Sequence, residues 1–317
     1  MHIDIIFNQI LIFSILVLIG IIGSKVNVIT EETKDFLAKI IFNITLPLAL
    51  LTNFSRIDIT PRLLSNSLLV IGLSVFVLLF MLLAGWLTSR LLKMQTSDAV
   101  IFKSHSLFGN IIFLGFPLIS SLYGEEGLLY AGMFQVVSNM FIWTIGVIIL
   151  NQGNNNSLKK NMLHILNPNT IAVVIGFIMF LFSVKLPQFL LKPLGGLGDS
   201  NTYLSLVYMG TILYFTSIKK LLNNKIAYLI SFNRLLLVPA ILILLFIVIN
   251  LLLPVKIDHL VISVLILQAA MPCMINIVIM AKIFGADDNL ATANVFISTL
   301  LSIVTLPLIL LLLGFLS

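Results

Sequence analysis

The sequence predicts an all-α integral membrane protein, and three observations carry that reading. Of the 317 residues, 60% are hydrophobic and only 9% are charged. Mean hydropathy is +1.16, far outside the range of a soluble globular chain. Apolar runs of about 20 residues, the length that crosses a bilayer as a helix, recur from one end of the chain to the other. They mark ten segments, at 5–23, 36–54, 64–89, 100–122, 127–150, 170–184, 201–217, 227–253, 258–281 and 289–315.

The first run has no basic stretch before it and no small-residue cleavage site after it, so it reads as a retained span and not a signal peptide. The second carries Asn43, Thr45, Pro47, Thr52 and Asn53. Such residues usually bond between membrane helices, and clustered beside a proline they can also line a cavity. The fourth is interrupted near its middle, where "GNIIFLGFPLISSLYG" begins with Gly109 and Asn110, and has Pro117 seven residues after the asparagine. In the fifth, Gln135, Asn139 and Thr144 read as interhelical bonds. A linker at 151–169 holds "NQGNNNSLKKN". Between the sixth and seventh runs, "KLPQFLLKPLGGLGDSN" has the prolines and glycines of a turn-rich connection. Thr202, Ser205 and Thr211 give the seventh its polar residues. Arg234 in the eighth reads as a mark of its cytoplasmic end; the alternative is a charge that draws anions inward. The ninth is broken at Pro272, preceded by Met271 and flanked by Gln268 and Asn276, and the tenth closes the chain.

With the N-terminus outside, 13 of the 18 Lys and Arg residues fall on inner loops and adjoining helix ends. Only Arg56, Arg62, Lys185, Lys192 and Lys256 fall on outer segments. That asymmetry places both termini outside a plasma membrane. The net charge of +6 then sets orientation and calls for no nucleic-acid partner. The single cysteine, Cys273, excludes an internal disulfide.

The linker sits midway and invites a search for repeats. Each half has a helix breaker near the middle of one span, Gly109 with Asn110 in one and Pro272 in the other. Each breaker is followed by Tyr-Gly or Phe-Gly and an acidic pair, Glu125 with Glu126 and Asp287 with Asp288. Five spans is an odd number, so a second copy at 170–317 would enter the membrane upside down relative to a first copy at 1–150. This is the inverted repeat of secondary transporters.

A broken helix in a bilayer survives only where it is buried in protein or lines a wet cavity. Asn110 suits the N-cap of a half-helix and Pro272 the first turn of another. Each half-helix would then direct free N–H groups and its positive dipole end toward the membrane centre, an anion site without a fixed charge. The plainer reading of either break alone is a kink or a close packing contact.

At these residues the chain resembles the auxin efflux carrier family of membrane transporters, which includes plant auxin exporters and bacterial carriers of malate or malonate. "FNITLPLALL" at 42–51, "GNIIFLGFPLISSLYG", "NPNT" at 167–170, "RLLLVPA" at 234–240 and "QAAMP" with "AKIFG" stand in the family's order along almost the whole chain. The resemblance implies ten spans in a five-plus-five inverted repeat, with broken helices 4 and 9 crossing at a substrate site formed here by Gly109, Asn110, Met271 and Pro272. Gly109 stands where plant members put proline, and span seven lacks the proline of many bacterial relatives. The short central loop favours a bacterial-type carrier. Homodimers fit the family.

Enzyme readings find no support: the chain has no phosphate-binding G-x-x-x-x-G-K-[S/T], no H-E-x-x-H and no paired cysteines. Neither a cofactor nor a metal is expected. All twelve carboxylates fall in loops or at span ends, so no acidic ion route is evident. His105 is the deepest titratable group of the broken spans, five residues or about 7 Å of helix before Asn110. It is a candidate proton or ion relay, and more plainly a polar group lining the inner vestibule. The expected function is a carrier of small carboxylates (malate, malonate, lactate or an auxin-like acid) working by alternating access. Binding would use Gly109, Asn110, Met271, Pro272, Gln268, Asn276, Asn43, Thr45 and Ser205. H⁺ or Na⁺ coupling is open. A sodium-coupled symporter of bile-acid-carrier type and a ligand-binding sensor without transport are the alternatives.

Overall fold

A computed structural model describes residues 3–56, 58, 60–151, 168–215, 224–252, 254 and 256–314. The expected linker lies almost wholly outside the described residues, as do four of the 13 inner-side basic residues, Lys159, Lys160, Lys219 and Lys220. Every regular element among the described residues is a helix. In chain order these are α1 (Ile3–Lys25), α2 (Glu31–Ile40), α3 (Leu46–Arg56), α4 (Pro61–Leu91), α5 (Thr96–Leu107), α6 (Phe116–Phe141) and α7 (Val147–Leu150). They continue with α8 (Pro168–Leu181), α9 (Gln188–Phe215), α10 (Lys225–Phe232), α11 (Val238–Leu252), α12 (His259–Ala269), α13 (Asn276–Phe284) and α14 (Asp288–Gly314). Among the described residues, five helical stretches are long and apolar enough to cross a membrane: Glu31–Arg56, Pro61–Leu91, Ile111–Leu150, Lys225–Leu252 and Asp288–Gly314. Three shorter apolar helices accompany them, Ser14–Lys25, Pro168–Leu181 and His259–Ala269. The chain is a multi-pass membrane protein.

Wide π-type turns interrupt several of these helices, and three share a cause. Ile41–Thr45, Ile111–Gly115 and Asn233–Leu237 each end two residues before a proline, Pro47, Pro117 and Pro239. A proline inside a helix has no N–H to give and its ring collides with the carbonyl four residues back. Widening the preceding turn relieves the collision while the helix continues.

Two glycines turn the chain where the sequence pairs an aromatic with glycine. Gly124 interrupts α6 with φ 61° and ψ −146°, a combination open in practice only to glycine. It falls between the expected fourth and fifth spans. Gly285, after Phe284, has φ 73° and precedes α14.

The chain folds into two compact units, each assembled from separate stretches. The first comprises Met1–Val70, Ile112–Val136 and Leu166–Thr216. In it α1 and α9 touch backbone to backbone, because Gly20 lies on the Val207 carbonyl and Gly210 on the Val17 carbonyl. Phe54 of α3 lies against Gly176 of α8. The stretch expected as a turn-rich connection is helical here from Gln188 onward. Pro187 stands just before α9 and its carbonyl accepts from Leu190 and Leu191. The glycines serve close approach, since a Cβ at Gly198 would come within 2.7 Å of the Ala49 nitrogen in α3. Small residues let membrane helices pack this closely.

The second unit comprises Ile71–Ile111, Val137–Ile165 and Ser217–Ser317. Its central helix α14 is buried along most of its length and packs against α10 and α5, among others. Phe102, Ile230, Cys273 and Val295 meet in one apolar cluster there.

Candidate functional site: two chain breaks held by a buried arginine

Helix α5 ends at Leu107, and Phe108 is already extended, with φ −111° and ψ 121°. Helix α12 ends at Ala269. Beyond α12 the chain first turns at Ala270, with φ −81° and ψ −3°, and the stretches after the two helices then pair antiparallel through Gly109 and Cys273. Asn110 N–H donates to the Pro272 carbonyl at 2.7 Å, and Met274 N–H donates to the Phe108 carbonyl at 3.2 Å. The Cys273 N–H donates to Ser298 Oγ of α14 at 2.9 Å. Backbone groups freed by the breaks are thus paired inside protein, as an apolar surrounding requires. Helical structure resumes at Ile111 on one side and at Asn276 on the other.

Carbonyls at the end of α5 and just beyond α12 are taken by one side chain. Arg234 is 1% exposed. Its Nη1 donates to the His105 and Ser106 carbonyls, each at 2.8 Å, and its Nε to the Met271 carbonyl at 2.5 Å. Arg234 lies in the wide turn ahead of Pro239. A cation at helix C-termini complements their negative dipole ends. Its Nη2 rests on Gly109, where any Cβ would overlap the guanidinium. The glycine at this break is therefore a seat for Arg234.

His105 is fully buried. Its Nε2 lies 3.2 Å from the Met274 carbonyl and its Nδ1 lies 3.1 Å from Asn294 Nδ2. A carbonyl can only accept, so Nε2 carries the proton and Nδ1 accepts from the amide; a neutral ring satisfies both. Gln268 is buried, and neither atom of its side-chain amide has a hydrogen-bond partner.

Gly109, Asn110, Met271, Pro272, Gln268 and His105 all belong to the second unit and are buried there. Asn276 opens α13 and is half-buried. Two expectations need correction. Pro272 is not in the first turn of a half-helix: it lies in the paired stretch, four residues before α13, where its carbonyl is the acceptor for Asn110. Arg234 does not stand at a helix end: it lies nine residues into the helical stretch Lys225–Leu252 and is buried, with carbonyls of both breaks as its acceptors.

The remaining expected residues lie in the first unit. Asn43 is exposed and donates back to the Lys39 carbonyl of its own helix at 3.0 Å. Thr45 Oγ1 donates to Asn201 Oδ1 at 3.0 Å, and Ser205 is buried with its hydroxyl unpaired. A cavity of ≈ 260 Å³ opens in this unit among α3, α6 and α9, lined in part by Asn53, Arg56, Ser120, Glu125, Asp199 and Thr202. Arg56 forms a two-pronged ion pair with Asp199 at 2.9 and 3.1 Å, and Asn53 Nδ2 donates to the Glu125 carbonyl at 3.0 Å.

These features define a membrane protein in which the stretches that follow α5 and α12 are buried and hydrogen-bonded to each other. A family model described as "Membrane transport protein" matches residues 5–310. The chain belongs to that family, the auxin efflux carrier family of membrane transporters. An uncharacterized transporter of Methanocaldococcus jannaschii is 25% identical over 307 residues, covering 95% of this chain and 96% of its own length. An uncharacterized transporter of Methanothermobacter thermautotrophicus is 25% identical over 306 residues, covering 93% of this chain and 94% of its own.

Proposed function

We propose that this transporter is a secondary carrier that moves small organic carboxylate anions across the plasma membrane by alternating access. In this reading ten spans form a five-plus-five inverted repeat, and the broken fourth and ninth spans cross at mid-membrane where Asn110 meets Pro272. The matching left-handed glycines, Gly124 and Gly285, support the repeat.

The sign of the charge at the crossing carries the anion reading. Two helix C-termini contribute about half a negative charge each, which the guanidinium of Arg234 offsets. The helical starts at Ile111 and Asn276 leave about half a positive charge each. Their sum matches one carboxylate. The Gln268 amide, buried with its hydrogen-bonding capacity unused, supports a polar ligand beside the crossing, and Asn110 and Asn276 add neutral amides to orient it.

Reconstituted protein and radiolabelled malate, malonate, lactate and indole acetate test the proposal. Flux of one carboxylate into vesicles supports it. Saturable binding of a carboxylate without flux identifies a sensor instead.

A further inference from the structure

Three backbone carbonyls from two separate chain breaks converge on one point of the second unit: His105 and Ser106 at the end of α5, and Met271 beyond α12. Carriers with interrupted helices use unwound carbonyls and half-helix C-termini of this kind to coordinate a coupling Na⁺. In this chain the guanidinium of Arg234 stands at that point. We propose that Arg234 is a tethered replacement for a coupling metal cation, so that the crossing keeps its positive charge throughout the cycle and needs no sodium. The inference rests on the carrier reading of the crossing.

Three further observations bear on it. First, the bonds of Arg234 run to carbonyl oxygens only, and among the described residues no carboxylate forms an ion pair with it. Its charge is met as a bound metal ion's would be, by uncharged oxygen lone pairs. Second, Gly109 leaves open the space that the guanidinium fills. Third, the donors are fixed: one arginine spans both breaks through Nε and Nη1, which ties α5 and α12 together as an ion would. A metal ion can leave with the substrate, and a side chain cannot. The anion therefore meets the same charge on both faces of the membrane.

Cys273 provides a readout that needs no substrate. It is the only cysteine, fully buried, and sits in the paired stretch itself. Purified full-length protein is labelled with a thiol-reactive dye in sodium or choline buffer, beside Arg234→Ala and Arg234→Lys. The wild-type rate should be the same in both buffers. Arg234→Ala should label roughly tenfold faster or more in choline, the equivalent of at least one lost charge-assisted bond. Added Na⁺ or methylguanidinium should slow it again by entering the vacated carbonyl cage, and Arg234→Lys should fall between. Sodium-dependent protection of the wild type would overturn the proposal. So would an Arg234→Ala protein that labels at the wild-type rate, or one that no small cation protects. Should Arg234→Ala not fold, the wild type still decides: uptake that is lost in choline refutes the replacement, and uptake unchanged in choline sustains it. If no carboxylate is carried at all, the labelling result stands by itself, which separates failure of this inference from failure of the carrier reading.

Discussion

Gly109→Ala tests whether a glycine is required at the fourth-span break because Arg234 rests on it. A Cβ at 109 would overlap Nη2 of the guanidinium and come within 2.9 Å of its central carbon. Overpacking of this kind costs about 1–3 kcal/mol. Relief requires the guanidinium to retreat from the carbonyls of His105, Ser106 or Met271, and each charge-assisted bond lost adds about 1.5–3 kcal/mol. A total of about 2.5–6 kcal/mol follows if one such bond is lost. Arg234→Lys keeps the charge and removes the Nη2 that meets Gly109, so Gly109→Ala in that background should cost about 1 kcal/mol or less, no more than the bottom of the overpacking range. The double-mutant cycle should therefore show a coupling of about 1.5–5 kcal/mol. Unfolding followed through exposure of Cys273 measures all four proteins. Costs that add to within about 0.5 kcal/mol would refute the seating of Arg234 as the reason for the glycine.

Further outcomes are expected elsewhere. Asn110→Ala should weaken carboxylate binding strongly with little loss of folded protein, and Pro117→Ala should do less, as measured by equilibrium binding. His105→Gln should leave the pH profile of uptake unchanged, because the ring is satisfied as a neutral group by Met274 and Asn294; a lost pH dependence would make it a relay. Gly198→Leu should lower the folded yield in detergent sharply, since α9 has no room for a side chain against Ala49, whereas Asn43→Ala, at an exposed position, should change stability by no more than about 0.5 kcal/mol.

The all-helical membrane architecture was legible because hydropathy and run length speak directly to the bilayer. Glycine, asparagine and proline in apolar spans are local signals, and α5 and α12 end at Leu107 and Ala269, close to those residues; what the chain does beyond each end was not legible. The antiparallel pairing there joins residues over 160 positions apart, as in the Asn110 to Pro272 bond. Helix α9 was misread at its start for a related reason: Gly195 and Gly198 fit a turn and a close helix contact equally, and only the neighbour, Arg56 or Ala49, decides between them. Arg234 was readable in principle. It lies seven residues inside its apolar run, about 10 Å from the end at 1.5 Å per residue, deeper than a helix-end marker needs to be. Charged residues at such depth pair with one another or with backbone carbonyls and mark functional sites.

The central claim, that paired breaks held by Arg234 form a carboxylate-carrying site, is tested most directly by uptake into proteoliposomes with pH, sodium and voltage gradients imposed separately. The account predicts flux of a small carboxylate that persists without sodium and is lost in Asn110→Ala. Undiminished flux in Asn110→Ala, or no flux of any carboxylate from folded protein, would contradict it.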